Sequence, residues 1–420
     1  MTISRRRVMR RSIRFFAILV LAITLAIPAL ANGAKEQPAA AAHGQVSLGY
    51  SGGVWIEKYF DQVVAGLEQA MPGVKVKKVV YPTYDDLLNG LPTQVAAKTN
   101  PDVLYWTNEQ LADYANNDVL APLDALVPQT KIDLSAFYKG LVQGWTMNGA
   151  LYGVPFNGQN SSMVVNLDLL QKAGVTSLPK TIQELGQDAT LIATKTSSTG
   201  LVILDNLFHI SQYVYAFGGG WGNGKTIDTP QNAQALQFLV DLFASKTAAT
   251  AKQLGAGWDG EAFAKGAVGF STGGPWYIGY MGQAGPTVHY QLMPIPTANG
   301  GTAMVTYGGG LSIFANVQDK RTAISVIDYL TNDANMELMA TSALKYLPAK
   351  TRYMDTYVKV VPEFAPLRDA FFKGTPLDYP AAVKEFGDDL VKGFEQMVFQ
   401  PGQLTPQELL KTLQQKYGSK

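Results

Sequence analysis

Residues 147–185, MNGALYGVPFNGQNSSMVVNLDLLQKAGVTSLPKTIQEL, constrain the fold more than any other part of this 420-residue chain. Asn148-Gly149 forms a two-residue turn between short apolar runs. Residues 151–155 read as extended, because the residue before a proline is pushed out of the helical region. A patch of small polar residues follows over 157–162. Met163, Val164 and Val165 then make a β-type apolar run ending at Asn166, a helix-capping residue, so the spacing predicts a helix over 167–173 stopped by Gly174. A strand thus leaves one layer and enters another through amides and hydroxyls with no apolar anchor. Such a crossing is a poor core segment and a good cleft floor.

The N-terminus reads as an address. Residues 1–14 hold six arginines and no acid, 15–30 are almost wholly apolar, and Ala29-Leu30-Ala31 is a small-x-small cleavage signal. That is the pattern of a secretory signal peptide over 1–31, cleaved near Ala31. An uncleaved anchor is the alternative, but the apolar run is short for a span and contains Pro28. Residues 4–10, SRRRVMR, also resemble a twin-arginine export signal. Cysteine is absent, which excludes disulfides, thiol chemistry and a lipid-modified cysteine, and so favours a soluble periplasmic protein. Without the leader the chain carries 28 basic and 33 acidic residues, a formal charge of −5. That balance argues against a nucleic-acid partner. Residues 32–44, rich in alanine, read as a flexible mature N-terminus. The remainder is long enough for two domains.

In chain order, a strand over 45–48, a glycine loop and a helix over 54–70 open an α/β sheet. The glycines lack the lysine and the spacing of a nucleotide loop, and no metal-ligand spacing is visible, so no cofactor is expected. Strands are predicted over 74–80, 100–106, 163–165, 200–204, 266–270 and 291–296. Helices are predicted over 85–98, 134–145, 179–193, 206–217, 231–243, 258–265, 319–330 and 332–344, with a mainly helical tail over 357–417. Residues 218–225 read as a glycine turn and hairpin, with Trp221 lining a cleft or covering the hairpin. His209 lies among Phe208, Tyr213 and Tyr215, the company of a packed ring, and is kept as a candidate contact. Bare glycine backbone at Tyr307-Gly308-Gly309-Gly310 lets amides approach a ligand closely.

Several of these stretches resemble, in colinear order, the extracellular solute-binding proteins of ABC transporters, of the maltose and oligosaccharide type. The resemblance rests on Asn148-Gly149, Tyr152-Gly153-Val154-Pro155, Asn166-Leu167-Asp168, Lys172-Ala173-Gly174, residues 179–185 (PKTIQEL) and the Pro101-Asp102-Val103 strand. It extends to Phe263, Gly266, Ala267, Val268 and Trp276, and to residues 291–296 (QLMPIP). Ile182 departs from the usual tryptophan, and Gln110 from a frequent basic residue. The resemblance implies an α/β fold of two lobes, with a ligand cleft between them and three hinge crossings, the second and third near 306–311 and 347–349. One lobe would hold 45–157 and about 308–348, the other 158–307 and 349–420. It also implies a carbohydrate ligand, an ABC permease partner and a monomer. By position it carries over Trp55, Trp106, Asn108, Glu109, Gln159, Trp276, Tyr307 and Gly309 as ligand contacts, with Tyr379 as an outer aromatic wall.

Aromatic rings and amides with few charges suit a neutral polyhydroxylated ligand, since rings stack and buried hydroxyls are individually paired. Each unmade buried hydrogen bond costs about 1 to 3 kcal/mol, which makes hydroxyl stereochemistry readable. A peptide, polyamine or sugar phosphate binder is the alternative, and it would demand a charged cluster. A glycoside hydrolase would need two carboxylates about 5 to 10 Å apart. Only Glu109 is placed centrally by sequence, with Asp205 and Asp259 as nearby acids, so an enzyme is not expected.

Overall fold

The computed structural model describes residues 43–52, 54–284, 287–342 and 344–418. The expected leader, its cleavage site near Ala31 and residues 32–42 lie outside the described residues. Two five-stranded sheets carry the chain. In the first, Gly44–Ser51 runs parallel to both Val74–Tyr81 and Val103–Thr107, as strand-helix-strand winding requires. Gly309–Ile313 then adds antiparallel to Val103–Thr107, and Val154–Pro155 closes the order. The second sheet runs Ala248–Thr250, Thr199–Ile203, Val268–Gly273, Ser162–Asn166, Tyr290–Met293, with its first three strands parallel and Ser162–Asn166 antiparallel to both of its neighbours. Every residue of Ser162–Asn166 is buried, which is why that run is continuously apolar between its polar ends.

The polar stretch between the sheets is the strand Asn157–Asn160. It pairs antiparallel with Thr306–Tyr307 on one side and Leu347–Pro348 on the other. The three crossings therefore form one small sheet whose ladders satisfy the backbone. Its side chains are tied by Tyr105, whose hydroxyl donates to Asn157 Oδ1 at 2.9 Å, and by Ser161 Oγ, which accepts from the Val305 N–H at 2.9 Å.

Local signals explain most helix boundaries. Asn166 accepts from the Leu169 N–H and Gly174 takes φ 79° at the other end of Leu167–Ala173. Thr181, Asp319 and Asn332 cap Ile182–Thr196, Lys320–Leu330 and Asp333–Thr341 in the same way. Three expectations change. The helix over 134–145 is a turn, Leu134–Ala136, and a short helix, Lys139–Gly144, because Phe137 pairs with Lys350 and the Tyr138 N–H donates to the Ala349 carbonyl. The strand over 291–296 breaks at Pro294 into Tyr290–Met293 and Ile295–Pro296, since proline cannot donate to the ladder. Residues 218–225 form a turn, Gly222–Gly224, rather than a hairpin.

Two apolar clusters hold the sheets: one fills the first sheet and continues onto Val164, Val202, Val268 and Leu292 of the second, and the other packs on the second alone. Phe60 stacks between Tyr50 at 4.4 Å and Phe156 at 5.9 Å behind the first. Met163, Ile210, Trp221, Phe270 and Phe386 pack behind the second. Burying one such large side chain stabilises the fold by roughly 1.5 to 3 kcal/mol.

Candidate ligand-binding site

A cavity of about 410 Å³ lies where the crossings meet the carboxyl ends of both sheets, the place where open α/β sheets hold ligands. From the first sheet, Glu109 enters it on the single turn Asn108–Gln110 that follows Val103–Thr107. Tyr84 stands beside it, its hydroxyl 2.6 Å from Thr107 Oγ1 and accepting from the Thr107 N–H at 3.2 Å. From the second sheet, Asn206 caps Leu207–Ala216 by accepting from the His209 N–H at 2.9 Å. That cap holds Phe208 and His209 in the first turn, on the cavity wall. Trp258 precedes and Asp259 begins the short helix Asp259–Ala264. Trp276 follows Gly274, where a Cβ would overlap its ring. Phe208 meets Trp276 edge-on at 5.9 Å and Tyr307 at 5.2 Å, so the three rings form one surface.

The polar groups are unequally satisfied. Glu109 is half-buried and forms no hydrogen bond or ion pair among the described residues, and burial pushes its carboxyl up to about 7. Asp259 is 1% exposed; its Oδ2 accepts from Ser271 Oγ at 2.9 Å and from the Tyr277 hydroxyl, while its Oδ1 has no partner. His209 Nδ1 lies 2.9 Å from Thr272 Oγ1 and 3.9 Å from Asp259 Oδ2. Burial lowers the His209 pKa against the opposing pull of Asp259, which favours the neutral ring. No lysine or arginine lines this cavity among the described residues. Two further cavities of about 460 Å³ each adjoin along Glu109 and Tyr379, extending the cleft beside the helix Val383–Phe399.

Of the residues expected from sequence, Glu109, Gln159, His209, Trp276 and Tyr307 line the central cavity together. Trp106 borders it but is 1% exposed, with Nε1 donating to Ser312 Oγ at 3.0 Å and its ring against Tyr114 and Trp145. Its indole is committed to the core and offers no stacking face. Asn108 is also reassigned: its amide donates to the Gly144 carbonyl at 2.8 Å and accepts from the Gly308 N–H at 3.4 Å. It braces a crossing and borders an adjoining cavity. Gly309 pairs with Thr107 inside the first sheet, where a Cβ would meet Asn157 Oδ1 and the Tyr105 ring; packing, not a ligand, requires glycine there. Trp55 falls outside the residues whose side chains are described. Trp221 is fully buried and donates to Ser211 Oγ at 2.8 Å, a core role.

Tyr84, Asn206, Phe208 and Trp258 were not legible as site residues. Asp259 lines the central cavity and Asp205 an adjoining one. The usable signal is position: Asn206 and Phe208 lie at the start of a helix directly after a parallel strand.

A family model described as bacterial extracellular solute-binding protein matches residues 53–337. A binding protein of Brucella abortus (strain 2308) is 26% identical over 285 residues, 65% of this chain and 68% of that protein. The maltotriose-binding protein of Pyrococcus abyssi is 23% identical over 288 residues, 66% of this chain and 61% of its own. Among solved structures, an ABC substrate-binding protein from Listeria monocytogenes in complex with cycloalternan superposes with a TM-score of 0.79 at 20% identity, covering 89% of this chain and 98% of that one.

Proposed function

Because the chain belongs to the bacterial extracellular solute-binding proteins, we propose that it is the substrate-binding component of an ABC sugar importer. It captures a sugar or oligosaccharide by hinge closure and hands the closed complex to a permease. The observation that carries this reading is the central cavity walled by both sheets, with Glu109 and Tyr84 facing Trp276, Phe208 and His209 across the crossings. The Trp276 face suits the apolar side of a pyranose, worth about 1 kcal/mol beyond area burial by analogy with aromatic pairs. Gln159, Asn206 and Glu109 offer donors and acceptors to ring hydroxyls at its edge. A sugar touching both lobes binds the closed form better than the open one, and that difference alone drives closure.

Under this reading residues 45–157 and about 308–348 form one lobe, and 158–307 with 349–420 the other. The leader 1–31 directs export and is cleaved near Ala31, and the protein works as a periplasmic monomer that binds its sugar without turning it over. A thermal-shift screen against mono-, di- and trisaccharides, polyols, amino acids and polyamines tests it. A ligand at about 100 times its dissociation constant adds roughly 2.7 kcal/mol of stability. The expected result is a rise with one sugar class that is lost in Trp276→Ala. A response to amino acids or polyamines alone would overturn the carbohydrate reading, and product formation during the scan would replace the binder with a hydrolase.

A further inference from the structure

We infer that the central cavity also takes sugars bearing a protonated amine, and takes them more tightly than the matching neutral sugars. The inference rests on the sugar reading above and concerns the charge of the ligand.

Among the described residues the cavity has acceptors in excess and no lysine or arginine of its own. Glu109 and Asp259 stand on walls supplied by different sheets, and the described lining residues include no lysine or arginine. Independently of that acidity, Asp259 is 1% exposed and keeps Oδ1 without a partner while Oδ2 is held by Ser271 and Tyr277. A buried carboxylate oxygen left unmatched costs more than a neutral group so left. Among the described lining residues His209 is the only group able to supply a positive charge, and burial holds it toward the neutral form. The missing donor is therefore to be brought by the ligand. An ammonium has three N–H donors and a full charge, enough to serve Asp259 Oδ1 and leave donors for further acceptors in the cavity. Trp258, Trp276 and Phe208 add ring faces and edges around the same space, and a desolvated cation gains from an aromatic face. A ring hydroxyl supplies only one donor and no charge. It fills the same position less well.

The test is calorimetric titration of the whole mature protein with matched pairs that differ only by amine for hydroxyl: glucosamine against glucose, galactosamine against galactose, and the β1,4-linked glucosamine dimer against cellobiose. The N-acetylated dimer and spermidine complete the set. The expected result is that an amino member binds tighter than its neutral twin by about tenfold or more, the scale of one charge-assisted hydrogen bond. The preference should weaken with added salt and vanish in Asp259→Asn. Glu109→Gln provides a second variant outside the Ser271 and Tyr277 network, and should narrow the preference without abolishing sugar binding. Neutral sugars binding as tightly as their amino twins would overturn the inference and leave the sugar reading intact. Spermidine binding with no response to any sugar would overturn both.

Discussion

Glu109 enters the cleft with no ion-pair partner among the described residues, and burial sets its titration. In an unfolded chain a glutamate titrates at about 4.3; here burial raises the carboxyl to about 7. The folded protein therefore holds the proton more tightly than the unfolded one. The stability associated with the neutral acid is complete below the unfolded value and is lost as the pH climbs to about 7. Burial first, and the Glu109 charge second, hold the hydroxyls of Tyr84 and Tyr307 above their ordinary value, so all three disfavour further negative charge. Glu109→Gln removes the penalty. Its melting temperature should exceed that of the wild type by a margin that grows between about pH 5 and about pH 8. A margin that does not change with pH would mean that the carboxyl is solvated after all. Sequence marked Glu109 through its place after the Val103–Thr107 strand, but its lack of an ion-pair partner among the described residues is a fact of tertiary assembly. No spacing along the chain reports which lysines stay away.

At the scale of the element, the strands of the crossings show which signals survive folding. The strand Asn157–Asn160 was legible because small polar residues between extended runs have few other uses, and it is where the sheets connect. Gly309 was read for the right backbone property and the wrong occupant. A glycine permits close approach, and what approaches is Asn157 and the Tyr105 ring rather than a ligand amide contact. Trp106 differs for a related reason: the resemblance and its place at a strand end put it near the cleft, while the partner that claims its N–H, Ser312, is 206 residues away. Gly309→Ala distinguishes the two roles of the glycine. Overpacking of this kind costs about 1 to 3 kcal/mol, so the variant should melt lower while its sugar affinity, once folded, stays near that of the wild type. A variant with unchanged stability and weakened binding would restore Gly309 to the ligand surface.

At the scale of the molecule, the balance between open and closed forms depends on contacts that span the cleft, and one of these lies away from the ligand. The helix Val383–Phe399 starts at Ala382, which has φ 59° and offers no side chain to cap it. Asp113, on the short helix just beyond Glu109, accepts from the Val383 N–H at 3.1 Å and 3.3 Å. Val383 packs in the cluster confined to the second sheet, whereas Tyr114, on the helix of Asp113, packs against Trp106 of the first, so the cap is supplied from across the cleft. An N-cap is worth about 1 kcal/mol, and the helix dipole adds to it for a carboxylate. If opening breaks this contact, Asp113→Ala takes that energy from the closed form alone, which moves the equilibrium about fivefold toward open. Apparent affinity falls with the fraction of binding-competent protein. Asp113→Ala should therefore loosen sugar binding by up to about fivefold without touching the central cavity, and solution scattering of the ligand-free variant should report a larger radius of gyration that saturating sugar restores. Asp113→Asn, which keeps an acceptor, should recover most of the affinity. Loosened binding with unchanged scattering would place the effect in the local helix start instead of the hinge equilibrium.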